Sequence, residues 1–157
     1  IRSMFAVLAR EIYLGHGHCY LADDDGATMW LPPGANAAPT RIGLLHFVLG
    51  QLANGTPGAI KRGMALSDLM AKWHPEEPHA YLFSIGTRKA ARGKGVGKAL
   101  FAPVLAACDR DGIPVYLENS NPANSGFYGA HGFERLGTFE VGPGGPIMEP
   151  MWRAPQS

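Results

Sequence analysis

Chemistry is most concentrated in one stretch of the chain, Ser84-Ile85-Gly86-Thr87-Arg88-Lys89-Ala90-Ala91-Arg92-Gly93-Lys94-Gly95-Val96-Gly97-Lys98. It holds five of the chain's 14 basic residues, and no acidic residue occurs between Glu77 and Asp109. An apolar run precedes it and a helical pattern follows, so it reads as a strand-to-helix connection. Unpaired N–H groups at a helix start carry partial positive charge, and glycines let a bulky anion approach them. The chemistry implied is therefore phosphate binding. Spacing excludes two common ligands. A P-loop needs glycine where Arg92 stands and Ser or Thr where Ala99 follows Lys98. The dinucleotide pattern GxGxxG fails because Lys98 occupies the place of its third glycine.

A second segment runs Val115-Tyr116-Leu117-Glu118-Asn119, then Asn121-Pro122-Ala123-Asn124-Ser125-Gly126-Phe127-Tyr128, and ends on Gly132-Phe133. It reads as a strand, a capped short helix and the start of another strand.

Arg92-x-x-Gly95-x-Gly97 resembles the Q/R-x-x-G-x-G/A motif of the GNAT superfamily of N-acyltransferases, and the second segment resembles that family's other signature. Together they cover roughly residues 79 to 153. Leu-Glu-x-Ser-Asn, Pro-Gly-Gly-Pro and a terminal Met-Trp-Arg look like the branch that includes puromycin-type N-acetyltransferases. The resemblance implies a three-layer α/β sandwich with a mixed, centrally splayed sheet. It implies acetyl-CoA as cofactor, its pyrophosphate held by Arg92, Gly93, Lys94, Gly95, Val96, Gly97 and Lys98. Ile85, Gly86 and Thr87 would pair with the pantetheine arm, the Ile85 N–H facing the thioester carbonyl. Asn124 would bond the same arm, although a local first-turn bond is an equal reading.

By the same resemblance Tyr128 lies near the cofactor sulfur and serves as general acid. A phenol of ordinary pKa about 10 keeps its proton at neutral pH; the bland alternative is a core aromatic. The amine must lose a proton, and Glu118, near a strand end, is the first candidate to take it or to bind an ammonium. An ion pair with a nearby Arg or Lys explains Glu118 equally well. His79, Glu76 and Glu77 are alternatives, with His79 expected at the surface. The activity implied is direct acetyl transfer to a primary amine of a small molecule or peptide. A non-catalytic acyl-CoA-binding module of the same fold is the competing class.

These groups require a scaffold to position them. Met4, Phe5, Leu8 and Ile12 predict a first helix capped at Gly15 or Gly17. His18 to Ala22 and Ala27 to Leu31 predict a hairpin around Asp23-Asp24-Asp25-Gly26. Helices are expected over Arg41 to Leu52 and from about Ala59, where Leu66, Leu69, Met70 and Trp73 share one face, both packing over the sheet. Next come a strand over His79–Thr87, a helix over Gly95–Asp111 with Pro103 inside it, and a strand over Pro114–Asn119. A helix over Pro122–His131 and strands over Phe133–Val141 and Ile147–Arg153 complete the order. The whole is expected to be one domain over 1–157 with a helical insertion at about 41–74, and with family elements missing upstream. Trp30, Trp73 and Tyr81 are candidate pocket aromatics.

Composition narrows the class. A chain of 157 residues with 46% hydrophobic and 17% charged residues can bury one core. A formal charge of +1 supplies no field for nucleic acid or membrane. Cys19 and Cys108 are far apart without a CxxC, and Cys108 falls on a helical stripe with Val96, Leu100 and Val104, so a reducing cytoplasm is expected and neither disulfide nor metal. His16 and His18 lack a third ligand nearby. The partner expected is the amine, with a homodimer left open.

Overall fold

The computed structural model describes residues 5, 6, 8–35 and 57–156. The helix expected over Arg41 to Leu52 lies outside the described residues.

Among the described residues seven strands form the sheet: β1 (His18–Ala22), β2 (Gly26–Leu31), β3 (Ala80–Thr87), β4 (Val115–Asn119), β5 (Glu134–Arg135), β6 (Phe139–Glu140) and β7 (Ile147–Arg153). Their order is β1-β2-β3-β4-β7-β5, and β6 also pairs with β7. Every pairing is antiparallel except β3 with β4. That parallel pair needs a crossover, which α3 (Val96–Arg110) supplies. The three-aspartate turn closes the β1–β2 hairpin with Asp23 at φ 45°, a conformation that Asp tolerates better than most residues.

Side chains alternate between two buried clusters. On one face Trp30, Leu82, Phe101, Val115, Leu117, Tyr128 and Phe133 pack beneath α3 and α4 (Ser125–Gly129). Phe101 is fully buried at their centre, its ring edge-on to Trp30 and Phe127 at 5.5 and 5.3 Å. On the other face Ile12, Tyr13, Leu31, Tyr81 and Tyr116 form a second cluster under the N-terminal segment. Cys108 is buried with Leu100, as its stripe predicts, and α3 runs through Pro103.

Several expectations are corrected. The N-terminal segment is a π-helix at Ala9–Tyr13 that continues into α1 (Leu14–His16), so Gly15 is helical. Gly17 follows it in an extended conformation, φ −134°. Crowding dictates that glycine: a Cβ there would lie 2.2 Å from the Trp30 carbonyl oxygen. The expected helix over Pro122–His131 is a 3-10 turn at Pro122–Asn124 followed by α4, with the Asn121 side chain accepting from the Ala123 N–H as its cap. The strand expected over Phe133–Val141 is broken into β5 and β6. Between them Gly137 lies against the Trp73 indole, which would be 2.5 Å from any Cβ.

Helix α2 (Pro57–Trp73) has Leu66, Leu69, Met70 and Trp73 half-buried, the stripe that spacing predicts. It contributes to neither buried cluster. Its described ring contact is Trp73 stacked on Phe139 at 6.1 Å, which seats the end of the helix at the β5–β6 break.

Candidate functional site

β3 and β4 pair at only three positions, Ala80 with Val115, Tyr81 with Tyr116 and Leu82 with Leu117. Beyond Leu82 β3 continues to Thr87 against β2 alone, and beyond Leu117 β4 continues to Asn119 against β7 alone. The register against β2 jumps from Met29–Ser84 to Trp30–Leu82, leaving Phe83 as a bulge where the strands part. A sheet that opens in its middle leaves strand edges without a partner strand, a ready place for an extended ligand. Ile85, Gly86 and Thr87 lie on that open stretch of β3.

The glycine loop stands at the end of the same strand. After a 3-10 turn at Lys89–Ala91, Gly93 and Gly95 adopt φ 75° and 80°, and Gly95 caps α3. No atom lies within 4 Å of a Cβ built at either position, so backbone conformation rather than crowding demands glycine there. Gly97 differs, since a Cβ there would meet the Phe127 ring at 3.3 Å, which sets the approach of α4 to α3. The first helical bond runs from the Ala99 N–H to the Gly95 carbonyl. The N–H groups of Gly95, Val96, Gly97 and Lys98 therefore have no helical acceptor. Arg88, Lys89, Arg92, Lys94 and Lys98 are all exposed around them. The Arg88 N–H donates to the Asp25 carbonyl at 2.8 Å, tying the loop to the β1–β2 hairpin.

Tyr128 is 6% exposed, with Phe101, Phe127 and Phe133 within 6.1 Å of its ring. Burial pushes its phenol up to about 12, so the proton is held throughout the neutral range. α4, which carries it, is anchored by a buried polar network. Asn119 donates to Glu149 at 2.7 Å, Ser125 bonds the same carboxylate, and Arg135 donates to its other oxygen at 2.9 Å. The Ser125 bond, then those from Arg135 and Asn119, hold Glu149 below the usual carboxylate range. Asn124 is exposed and its side chain makes no capping bond.

Glu118 points to the opposite face of the sheet. Its side chain is 2% exposed. Tyr81 donates to Oε2 at 2.7 Å, and Oε1 is buried without a hydrogen-bond partner. His74 Nδ1 lies 3.8 Å from Oε1; no Lys or Arg pairs with Glu118 among the described residues. Tyr13, Tyr81 and Tyr116 all surround this carboxylate, and burial first, then its charge, raises each phenol well above its ordinary value. The Tyr116 hydroxyl is buried and unpartnered. His79, expected at the surface, is 8% exposed; burial lowers its pKa and its Nδ1 lies 2.6 Å from the Glu77 carbonyl. A carbonyl only accepts, so Nδ1 is the donor in this bond.

A cleft of about 280 Å³ opens on this face, lined by Leu31, Pro32, Ala35, Tyr81 and the His74-to-His79 turn that carries Glu76 and Glu77. Of the candidate aromatics Tyr81 lines it, whereas Trp30 belongs to the other face. His74 escaped the sequence reading. It sits one residue past α2, where no periodicity marks it, and its value comes from a carboxylate 44 positions away. Its closeness to His79 within His-Pro-Glu-Glu-Pro-His was the available signal. No group of three metal-ligating side chains occurs among the described residues, and none of their helices is long and apolar enough to cross a membrane.

Comparison with known proteins bears on this geometry. Residues 58–133 match the model of the acetyltransferase (GNAT) family. A curated relative, an uncharacterized N-acetyltransferase of Schizosaccharomyces pombe, is 29% identical over 120 residues, covering 72% of this chain; the match spans 49% of the relative, about half its length. Among solved structures, a histone acetyltransferase HPA2 and related acetyltransferase from Corynebacterium glutamicum superposes with TM-score 0.67 at 24% identity, covering 99% of this chain and 74% of that one. Chaetomium thermophilum Naa20, solved with a bisubstrate analogue, gives TM-score 0.50 at 14% identity over 83% of this chain and 59% of its own.

Proposed function

We propose that this chain is a member of the GNAT superfamily and that it transfers an acetyl group from acetyl-CoA to a primary amine, both bound at once. The observation that carries the reading is the parting of β3 from β4 after Leu82 and Leu117, immediately before a loop whose free N–H groups suit a pyrophosphate. The N–H groups of Gly95, Val96, Gly97 and Lys98 would take the phosphates, with Arg92, Gly93 and Lys94 completing the loop and its field. Ile85, Gly86 and Thr87 would hold the pantetheine arm from one strand edge and Asn124 from α4. The Ile85 N–H would polarise the thioester carbonyl.

The two faces divide the proton work. On one face Glu118 sets a buried negative charge behind the place where the amine must lose its proton. On the other Tyr128 offers a hydroxyl to the departing sulfur. The acceptor is a small-molecule or peptide amine.

A thermal-shift titration with acetyl-CoA tests cofactor binding, with ATP and NAD as controls and a Gly95→Glu variant alongside. A selective rise for acetyl-CoA, absent in the variant, followed by thiol release with primary amines, is the expected result. No rise in a folded sample would remove the reading, and a rise without thiol release would leave a binding module.

A further inference from the structure

The cleft on the Glu118 face has a chemistry of its own. Leu31, Pro32 and Ala35 give it an apolar wall, Glu76 and Glu77 bring two exposed carboxylates, and among the described residues no Lys or Arg lines it. Buried behind it is the unpartnered Oε1 of Glu118. Two side chains both line the cleft and reach Glu118. Tyr81 already spends its hydroxyl proton on Oε2, and a phenol cannot act as a base while protonated. His74 is different: its side chain is 40% exposed, its Nδ1 faces Oε1 at 3.8 Å, and its ring packs against those of His79, Tyr81 and Tyr116 at 4.8, 5.1 and 5.0 Å.

Resting on the acetyltransferase reading, we propose that this cleft is the acceptor site for cationic primary amines with an apolar body, and that His74 takes the amine proton while Glu118 steadies the imidazolium. At 3.8 Å the two are too far apart for a hydrogen bond but within ion-pair reach once the ring is charged. With Nδ1 turned to Glu118, Nε2 is left to accept. His79 does not compete for the role, because it is only 8% exposed where the His74 side chain is 40% exposed, and burial lowers its pKa.

The ammonium gives one proton to His74, which passes it to solvent through its exposed side. The freed lone pair attacks the thioester carbon, the C–N bond forms and the C–S bond breaks. The nitrogen sheds its second proton, which reaches the departing sulfur through solvent while the Tyr128 hydroxyl hydrogen-bonds that sulfur, so two protons leave nitrogen, one is taken up by sulfur and one is released per turnover. Glu118 on this view is a positioning residue, and His74 is the one that touches substrate.

The test measures thiol release with acetyl-CoA and a panel of primary alkylamines and neutral arylamines, for the wild type, His74→Gln and His74→Gly. The expected result is transfer to alkylamines, a loss of about 100-fold in kcat in both variants, an unchanged thermal shift with acetyl-CoA, and partial recovery of His74→Gly by added imidazole. Variants within about threefold of wild type, or no recovery with imidazole, would overturn the role of His74. A wild type that accepts only arylamines would overturn the cationic site. A wild type that binds acetyl-CoA but serves no amine would overturn the acetyltransferase reading itself, without reference to any variant.

Discussion

Replacing Tyr128 by Phe removes one oxygen and leaves the ring among Phe101, Phe127 and Phe133, so the fold should be kept. The size of the kinetic effect follows from the burial of the phenol. Its pKa of about 12 stands about 3.5 pH units above that of an ordinary thiol near 8.5. Full proton transfer to a free thiolate would thus be uphill by roughly 5 kcal/mol. Tyr128 can therefore help mainly by a hydrogen bond that strengthens as charge gathers on sulfur, at the low end of the range for general acids. We expect kcat to fall about 100-fold, with the acetyl-CoA thermal shift unchanged. No loss of wild-type rate on the basic side should trace to Tyr128 below about pH 11. Steady-state thiol release across pH, with cofactor titrations of both proteins, is the assay. A kcat within about threefold of wild type, or a loss that appears as weakened cofactor binding, would refute the assignment.

Other outcomes follow from the packing. Arg153 is 3% exposed and bonds Asp109 with both terminal nitrogens at 2.6 and 2.7 Å, while its Nε donates to the His131 carbonyl. Asp109→Asn leaves a buried cation under-paired and should cost about 3 kcal/mol, read as a lower denaturation midpoint at unchanged slope. The bonds from Arg153 hold Asp109 below the usual carboxylate range, as Ser125, Arg135 and Asn119 do for Glu149. Both carboxylates bind protons more readily unfolded, so their stabilisation is complete above about pH 5 and is lost as pH falls through the lowered values; acid titration by circular dichroism should show Asp109→Asn with a shallower acid limb. Gly17→Ala should cost about 2 kcal/mol, a Tm drop of roughly 4–8 °C, because the Trp30 carbonyl it would strike is fixed in the hairpin. Gly137→Ala should displace the Trp73 indole and change tryptophan fluorescence while leaving the glycine loop intact.

The parts legible in the sequence were those written in local spacing. Gly93 and Gly95 announce left-handed backbone because few other residues tolerate it, and Leu66, Leu69, Met70 and Trp73 mark the half-buried side of α2 by period alone. The Asp-rich hairpin and the β3–α3–β4 unit are of the same kind. What escaped depends on contacts across the chain. Gly17 looked like a helix cap, yet its reason is the Trp30 carbonyl on the next strand. Nothing in Leu136-Gly137-Thr138 says that a strand stops there to seat Trp73. Glu118 was identified by its place near a strand end, but its partners Tyr81 and His74 come from elsewhere, and His74 gains meaning only from that meeting.

The sheet faces separate two reagents that textual order places side by side. Glu118 and Tyr128 are ten positions apart, yet one lies buried behind Tyr81 and His74 of the cleft and the other in the core beneath α3. Substrates drawn to them would arrive by separate doors and meet only in the slot between β3 and β4. On the proposed reading neither would block the other's entry, so binding order would be free and spent CoA would compete with acetyl-CoA but not with the amine. An inhibitor that joins both substrates would have to thread the sheet, its linker no longer than the slot is deep.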